Sequence, residues 1–179
     1  MSANQIAHRY AKALLRLCEA EGLKPRQQLE ALSGIKELFS LEESRKVLLS
    51  PVMPEELKFD LLEYALEKNK AKEILTQFVK KTTQAGRISV LPEILDTFEK
   101  VIDELEEILK AELVSAFNLA GKDIKEIQTR LEKIFQKTVI LSQKEDPALL
   151  GGIIVKVGNL VFDLSLKTKL NQIAHDALG

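Results

Sequence analysis

Cysteine, histidine and any surplus of charge are scarce in this 179-residue chain, and each shortage removes a class of function. The single cysteine, Cys18, rules out an internal disulfide and suits a reducing compartment. It sits on an apolar helical face, which marks it as a small buried hydrophobe rather than a nucleophile. The two histidines, His8 and His175, are far apart and fit no metal-ligand spacing. Acids and bases number 27 and 26, so there is neither a basic stripe for nucleic acid nor a broad field for an anionic membrane. No apolar run approaches the roughly 20 residues that span a bilayer. No basic stretch followed by an apolar core opens the chain as a signal peptide would. Gly151, Gly152 and Gly158 make no Walker loop, because no Gly-Lys-Ser/Thr follows and the context reads strand-turn-strand. Carboxylates abound on helix faces without forming an acid–base pair. The expectation is a cytosolic chain with no catalytic residue, no cofactor, no metal and no direct membrane insertion.

What is present is ordinary globular material, 45% apolar and 30% charged. From about Asn4 to Lys110 the apolar spacing is helical throughout. A first helix over Ile6 to Glu21 stops near Gly22, and Pro25 opens a second that runs to Phe39. A short third covers Glu43 to Leu49 and ends before Ser50-Pro51. The fourth starts with Pro54 in its first turn, where a missing N–H costs nothing. The fifth covers Lys70 to Gln84. The sixth begins near Pro92 and carries Leu95, Phe98, Ile102, Leu105 and Leu109 on one face. Its acidic residues Asp103, Glu104, Glu106 and Glu107 read as a wet face. Six short-looped amphipathic helices predict an antiparallel bundle, and roughly 105 residues suffice for it to fold alone.

After Ala111 the period changes. Glu112 to Phe117 reads as a strand, Ile124 to Phe135 as a helix, and Thr138 to Ser142 as a β-branched strand. Gly151-Gly152 precedes a strand from Ile153 to Val157, and Gly158-Asn159 forms a tight turn into Leu160 to Phe162. A last helix carries Leu166, Leu170, Ile173 and Ala177, with Asp163 or Ser165 at its start. The expected class is α+β: a six-helix bundle over residues 1–110, then a small βαββα unit over residues 111–179.

The first helix is unusually apolar. Its apolar arc, running from Ala13 through Leu17, Tyr10, Leu14, Ala7, Cys18 and Ala11 to Leu15, is about 200° wide, against roughly 100° for a helix facing one core. Such a helix either lies deep in the core or serves a second surface. The fifth helix is also mixed, with Ile74, Leu75, Phe78 and Val79 apolar and Thr82 small.

Four stretches resemble the F-type ATP synthase delta family, which includes the oligomycin-sensitivity-conferring protein. They are Ala7-His8-Arg9-Tyr10-Ala11-Lys12-Ala13-Leu14; Leu48-Leu49-Ser50-Pro51; Gly86-Arg87-Ile88 with Leu91-Pro92-Glu93-Ile94; and Leu150-Gly151-Gly152-Ile153-Ile154-Val155-Lys156-Val157-Gly158-Asn159, followed by Val161-Phe162-Asp163 and Ser165. The last is the most specific. The resemblance implies a non-catalytic stator subunit in a hetero-oligomeric complex at the cytoplasmic face of a bacterial membrane. Its bundle would receive the N-terminal helices of the alpha subunits and its second domain the C-terminal ends of the b subunits. In the family, the first and fifth helices form a groove for the alpha helix. Tyr10, Ala13, Leu14 and Leu17 are expected on one side of it, and Phe78, Val79 and Thr82 on the other. Gly151, Gly152, Lys156, Lys167 and Lys169 are the candidates for the b subunits, although the glycine pair also fits an unusual backbone turn. An unrelated helical adaptor with a small α/β domain is the rival reading.

Overall fold

The structure is a computed structural model that describes the backbone of residues 3–178 and the side chains of residues 4–172. Ile173, His175 and Ala177, expected in the last helix, have side chains outside the described residues. The class is α+β, with helices and one four-stranded sheet. The chain divides into two compact units, Met1–Ile102 and Asp103–Gly179.

The first unit contains α1 (Ala3–Ala20), α2 (Pro25–Ala31), α3 (Ser33–Ser40), α4 (Glu42–Leu49), α5 (Glu55–Lys68), α6 (Glu73–Gln84), a 3-10 turn (Ile88–Val90) and α7 (Leu91–Leu105). One core joins them, in which Leu14, Leu32, Ile35, Leu48, Leu62, Leu75, Ile94 and Phe98 are fully enclosed. On α7 the buried set Leu91, Ile94, Leu95, Phe98 and Ile102 recurs at three and four residues, the stripe that a helix on one core requires. Gly34 lies where α3 crosses α5. A Cβ there would collide with Asn69 and stand 3.0 Å from the Ala65 carbonyl oxygen.

The second unit contains β1 (Ile108–Ser115), α8 (Gly121–Phe135), β2 (Thr138–Glu145), β3 (Gly152–Val157), β4 (Leu160–Ser165) and α9 (Leu166–Leu178). The strand order is β2-β1-β3-β4. β1 and β2 are parallel, joined through α8, and the other pairings are antiparallel. Val157 pairs with Leu160, so Gly158-Asn159 is a two-residue hairpin turn, with Gly158 at φ 56°. Ala111, Leu113, Val139, Val155 and Val157 form the sheet side of the core, and Ile124, Ile127, Leu131 and Phe135 of α8 cover it.

Several boundaries differ from the sequence reading. The expected second helix is two, because at Leu32 the chain tightens: its N–H reaches both Gln28 O at 3.0 Å and Leu29 O at 3.2 Å, and weak helix formers Ser33-Gly34 follow. The fifth expected helix starts later, at Glu73, because Lys70 is left-handed and Lys72 extended. The sixth ends at Leu105, since Glu107 turns left-handed; Leu109 belongs to β1, so residue 110 falls inside a strand. The C-terminal unit reads βαβββα: the four strands expected individually are all present, and the label βαββα counts one too few. Asp103 is buried, not wet, and takes a 2.8 Å ion pair from Lys110.

Candidate functional site

The seven residues expected in the groove split by depth. Leu14, Val79 and Thr82 are core, at 0%, 1% and 1% exposure. Thr82 satisfies its hydroxyl by donating to Phe78 O at 2.8 Å, so nothing polar is left for a guest. Tyr10, Leu17 and Phe78 are half-buried and Ala13 is exposed. Tyr10 and Phe78 meet edge to face, with ring centroids 6.3 Å apart, which ties α1 to α6. Half-buried Ile74 extends the same edge, and near it a cleft of about 350 Å³ is lined by Glu21, Leu23, Lys72, Glu73, Ile74 and Gln77. The end of α1 thus faces the start of α6, and the two helices run antiparallel along an apolar edge. Most of the wide arc of α1 goes into the core through Ile6, Ala7, Ala11, Leu14 and Cys18. What is left for a second surface is the strip Tyr10, Ala13, Leu17 at one border of the arc and half-buried Leu15 at the other.

In the second unit the glycine pair has an internal explanation. Gly151 (φ 151°) and Gly152 (φ 81°) occupy backbone conformations that L side chains rarely adopt. A Cβ on Gly152 would enter the Leu164 carbonyl oxygen and come within 2.8 Å of Ser165 Cα; one on Gly151 would come within 2.7 Å of Leu166 Cδ1. The pair lets β3 start hard against the β4–α9 junction, where Leu166 N–H donates to Gly151 O at 3.0 Å. Lys156 is paired across strands with Glu112 at 3.1 Å. Lys167 and Lys169 are exposed.

Sequence reasoning missed an apolar cleft of about 420 Å³ between α8 and strands β3 and β4. Ile127, Leu131, Ile153 and Val155 line it, and Ile134, Phe162 and Leu164 stand at its mouth at 69%, 41% and 51% exposure. The signal was present in the alternation Leu160, Phe162, Leu164 on an edge strand, together with Ile134 beside an already sufficient apolar stripe on α8.

The displaced pKa values of Cys18 and Asp163 have structural causes. Burial, reinforced by the neighbouring Glu19, pushes the Cys18 thiol up and keeps it protonated. Hydrogen bonds from Ser165, joined by Thr168, hold the Asp163 carboxyl below its usual value. Ser165 N–H donates to Asp163 Oδ1 at 2.9 Å and Thr168 Oγ1 to Oδ2 at 2.8 Å, while Thr168 N–H donates to Ser165 Oγ at 3.3 Å. This cluster caps the first turn of α9. Among the described residues no group of three His, Cys, Asp or Glu is placed to hold a metal, and no helix is long and apolar enough to cross a membrane.

Residues 6–176 match the family model described as ATP synthase delta (OSCP) subunit. ATP synthase subunit delta of Geobacter metallireducens is 35% identical over 173 residues, covering 97% of this chain and 96% of that one. The protein of the same name from Trichlorobacter lovleyi is 31% identical over 180 residues, covering 99% and 98%. A chain of the Toxoplasma gondii mitochondrial ATP synthase hexamer shares the fold, with a TM-score of 0.71 over 97% of both chains at 17% identity. The chain belongs to the ATP synthase delta (OSCP) subunit family.

Proposed function

We propose that the chain is a non-catalytic stator subunit, joining the catalytic head to the peripheral stalk of an F-type ATP synthase at the cytoplasmic face of a bacterial membrane. Its helical unit seats an N-terminal helix of an alpha subunit against the α1/α6 edge, and its C-terminal unit holds the b subunits. The role is mechanical: a rotor exerts torque on the head, and a head held still converts that torque into changes at its catalytic sites. The observation that carries this reading is the edge formed by half-buried Tyr10, Phe78 and Leu17 with exposed Ala13, an incomplete helix–helix seam. Tyr10 is the anchor, an aromatic whose polar tip tolerates both bound and free states. For the stalk, the cleft bordered by Ile134, Phe162 and Leu164 is a better seat than Gly151, Gly152 and Lys156, whose positions are accounted for within the chain.

Binding of a peptide from the N-terminal segment of the alpha subunit to the full chain tests the head contact. Ala13→Asp places a charge on the exposed strip and should weaken binding at least tenfold, roughly 1.4 kcal/mol, with the circular dichroism unchanged. Leu14→Asp cannot serve, because Leu14 is fully buried and its replacement unfolds the bundle. Unchanged peptide affinity in both Ala13→Asp and Leu17→Asp would refute the head contact. In parallel, Leu164→Asp should release a fragment from the C-terminal end of the b subunits and leave the alpha peptide bound.

A further inference from the structure

The edge of α1 and α6 carries a row of cations along its middle, while its acids, Glu21 and Glu73, lie at the cleft where α1 ends and α6 starts. Arg9, Lys12 and Arg16 are exposed on α1 at intervals of three and four residues, so they form one row. Arg9 lies beside the apolar strip itself, its guanidinium carbon 5.9 Å from the centroid of the Tyr10 ring. On the other helix, exposed Lys81 follows Phe78 by three residues, which puts it next to that ring along α6. Among the described residues none of these four cations has a carboxylate within ion-pair distance. Some cations elsewhere are partnered, among them Lys36 with Asp96 at 2.7 Å, Lys110 with Asp103 at 2.8 Å and Lys156 with Glu112 at 3.1 Å. The chain as a whole is nearly neutral, at a formal charge of −1, so a local row of this kind does not follow from composition.

We infer that the α1/α6 edge selects an amphipathic helix whose apolar face is bordered by Asp or Glu. This rests on the helix-docking reading above and adds the chemistry of the guest. An apolar seam alone accepts any helix of suitable width. Unanswered cations along its border favour a helix with acidic flanks and oppose one with basic flanks by like-charge contact. Each contact is solvent-exposed and individually weak, so discrimination comes from several acting together and falls as salt screens them.

The test uses three synthetic helical peptides with one apolar face and flanks of Glu, Gln or Lys, titrated against the full chain by fluorescence anisotropy. At low salt the Glu peptide should bind roughly five- to tenfold more tightly than the Gln peptide, and the Lys peptide more weakly than either. The Glu advantage should shrink at about 0.5 M salt. In the variant Arg9→Glu/Lys12→Glu/Arg16→Glu, whose positions are all exposed, the order should invert while circular dichroism stays unchanged. Equal binding of Glu and Gln peptides, or an order that the triple variant leaves unmoved, overturns the acidic-guest inference and leaves the seam intact. Failure of all three peptides to bind, with Ala13→Asp also without effect on the alpha peptide, overturns the seam and the inference together.

Discussion

At the scale of single residues, steric exclusion decides more than charge. Gly152 has its positive φ and its missing Cβ used at once: the carbonyl of Leu164 and the backbone of Ser165 fill the space a side chain would need. These obstacles are main-chain atoms and cannot swing away. Gly152→Ala should therefore cost about 3 kcal/mol or more, read as a lower midpoint in urea unfolding. Gly158→Ala, which meets open space and has only its φ to satisfy, should cost about 1 kcal/mol. A partner-binding role for the glycines predicts the opposite pattern: unchanged stability in Gly152→Ala and lost association.

At the scale of elements, helix ends explain where the structure departs from simple periodicity. α8 stops at Gln136, which holds the left-handed conformation at φ 54° and donates its N–H to Glu132 O at 2.8 Å. Glycine is the residue suited to that position. Gln136→Gly should stabilise the second unit by about 0.5–1 kcal/mol, visible as a raised thermal midpoint with α8 packing unchanged. The same device, a non-glycine residue turned left-handed, delays α6 at Lys70 and ends α7 before Glu107. Residue type gives no warning at these sites, because lysine, glutamate and glutamine are good helix formers. A helix-period reading therefore runs through Lys70 and Glu107, although the expected helix over Ile124–Phe135 stops before Gln136.

At the scale of the whole chain, two cores form from separate stretches. The members of the first lie between Ile6 and Ile102, and those of the second lie in the stretch that starts at Leu109. A fragment of residues 1–105 keeps the first core complete through the end of α7. It should show a helical dichroism spectrum and a cooperative melt, and Phe98→Ala within it should cost about 3–5 kcal/mol. A fragment that melts without cooperativity would mean that the helical unit depends on the second one for its packing.

The order of residues was enough to establish the α+β class, the helix stripe of α7, the change of period after Ala111 and the Gly158-Asn159 hairpin. Each depends on spacing between neighbours, and spacing is written in the chain. The family resemblance, carried by local motifs, was legible for the same reason. Packing in three dimensions was needed to separate the apolar residues of α1 and α6 into core and edge. Leu14 and Leu17 are equally apolar in sequence, and only the surrounding helices enclose the first and leave the second half-open. Packing also settled that Gly151-Gly152 answers to Leu164–Leu166, and that Ile134 shares a cleft with Phe162. Those contacts join residues distant in the chain, and burial is a property of all neighbours at once, which no local pattern encodes.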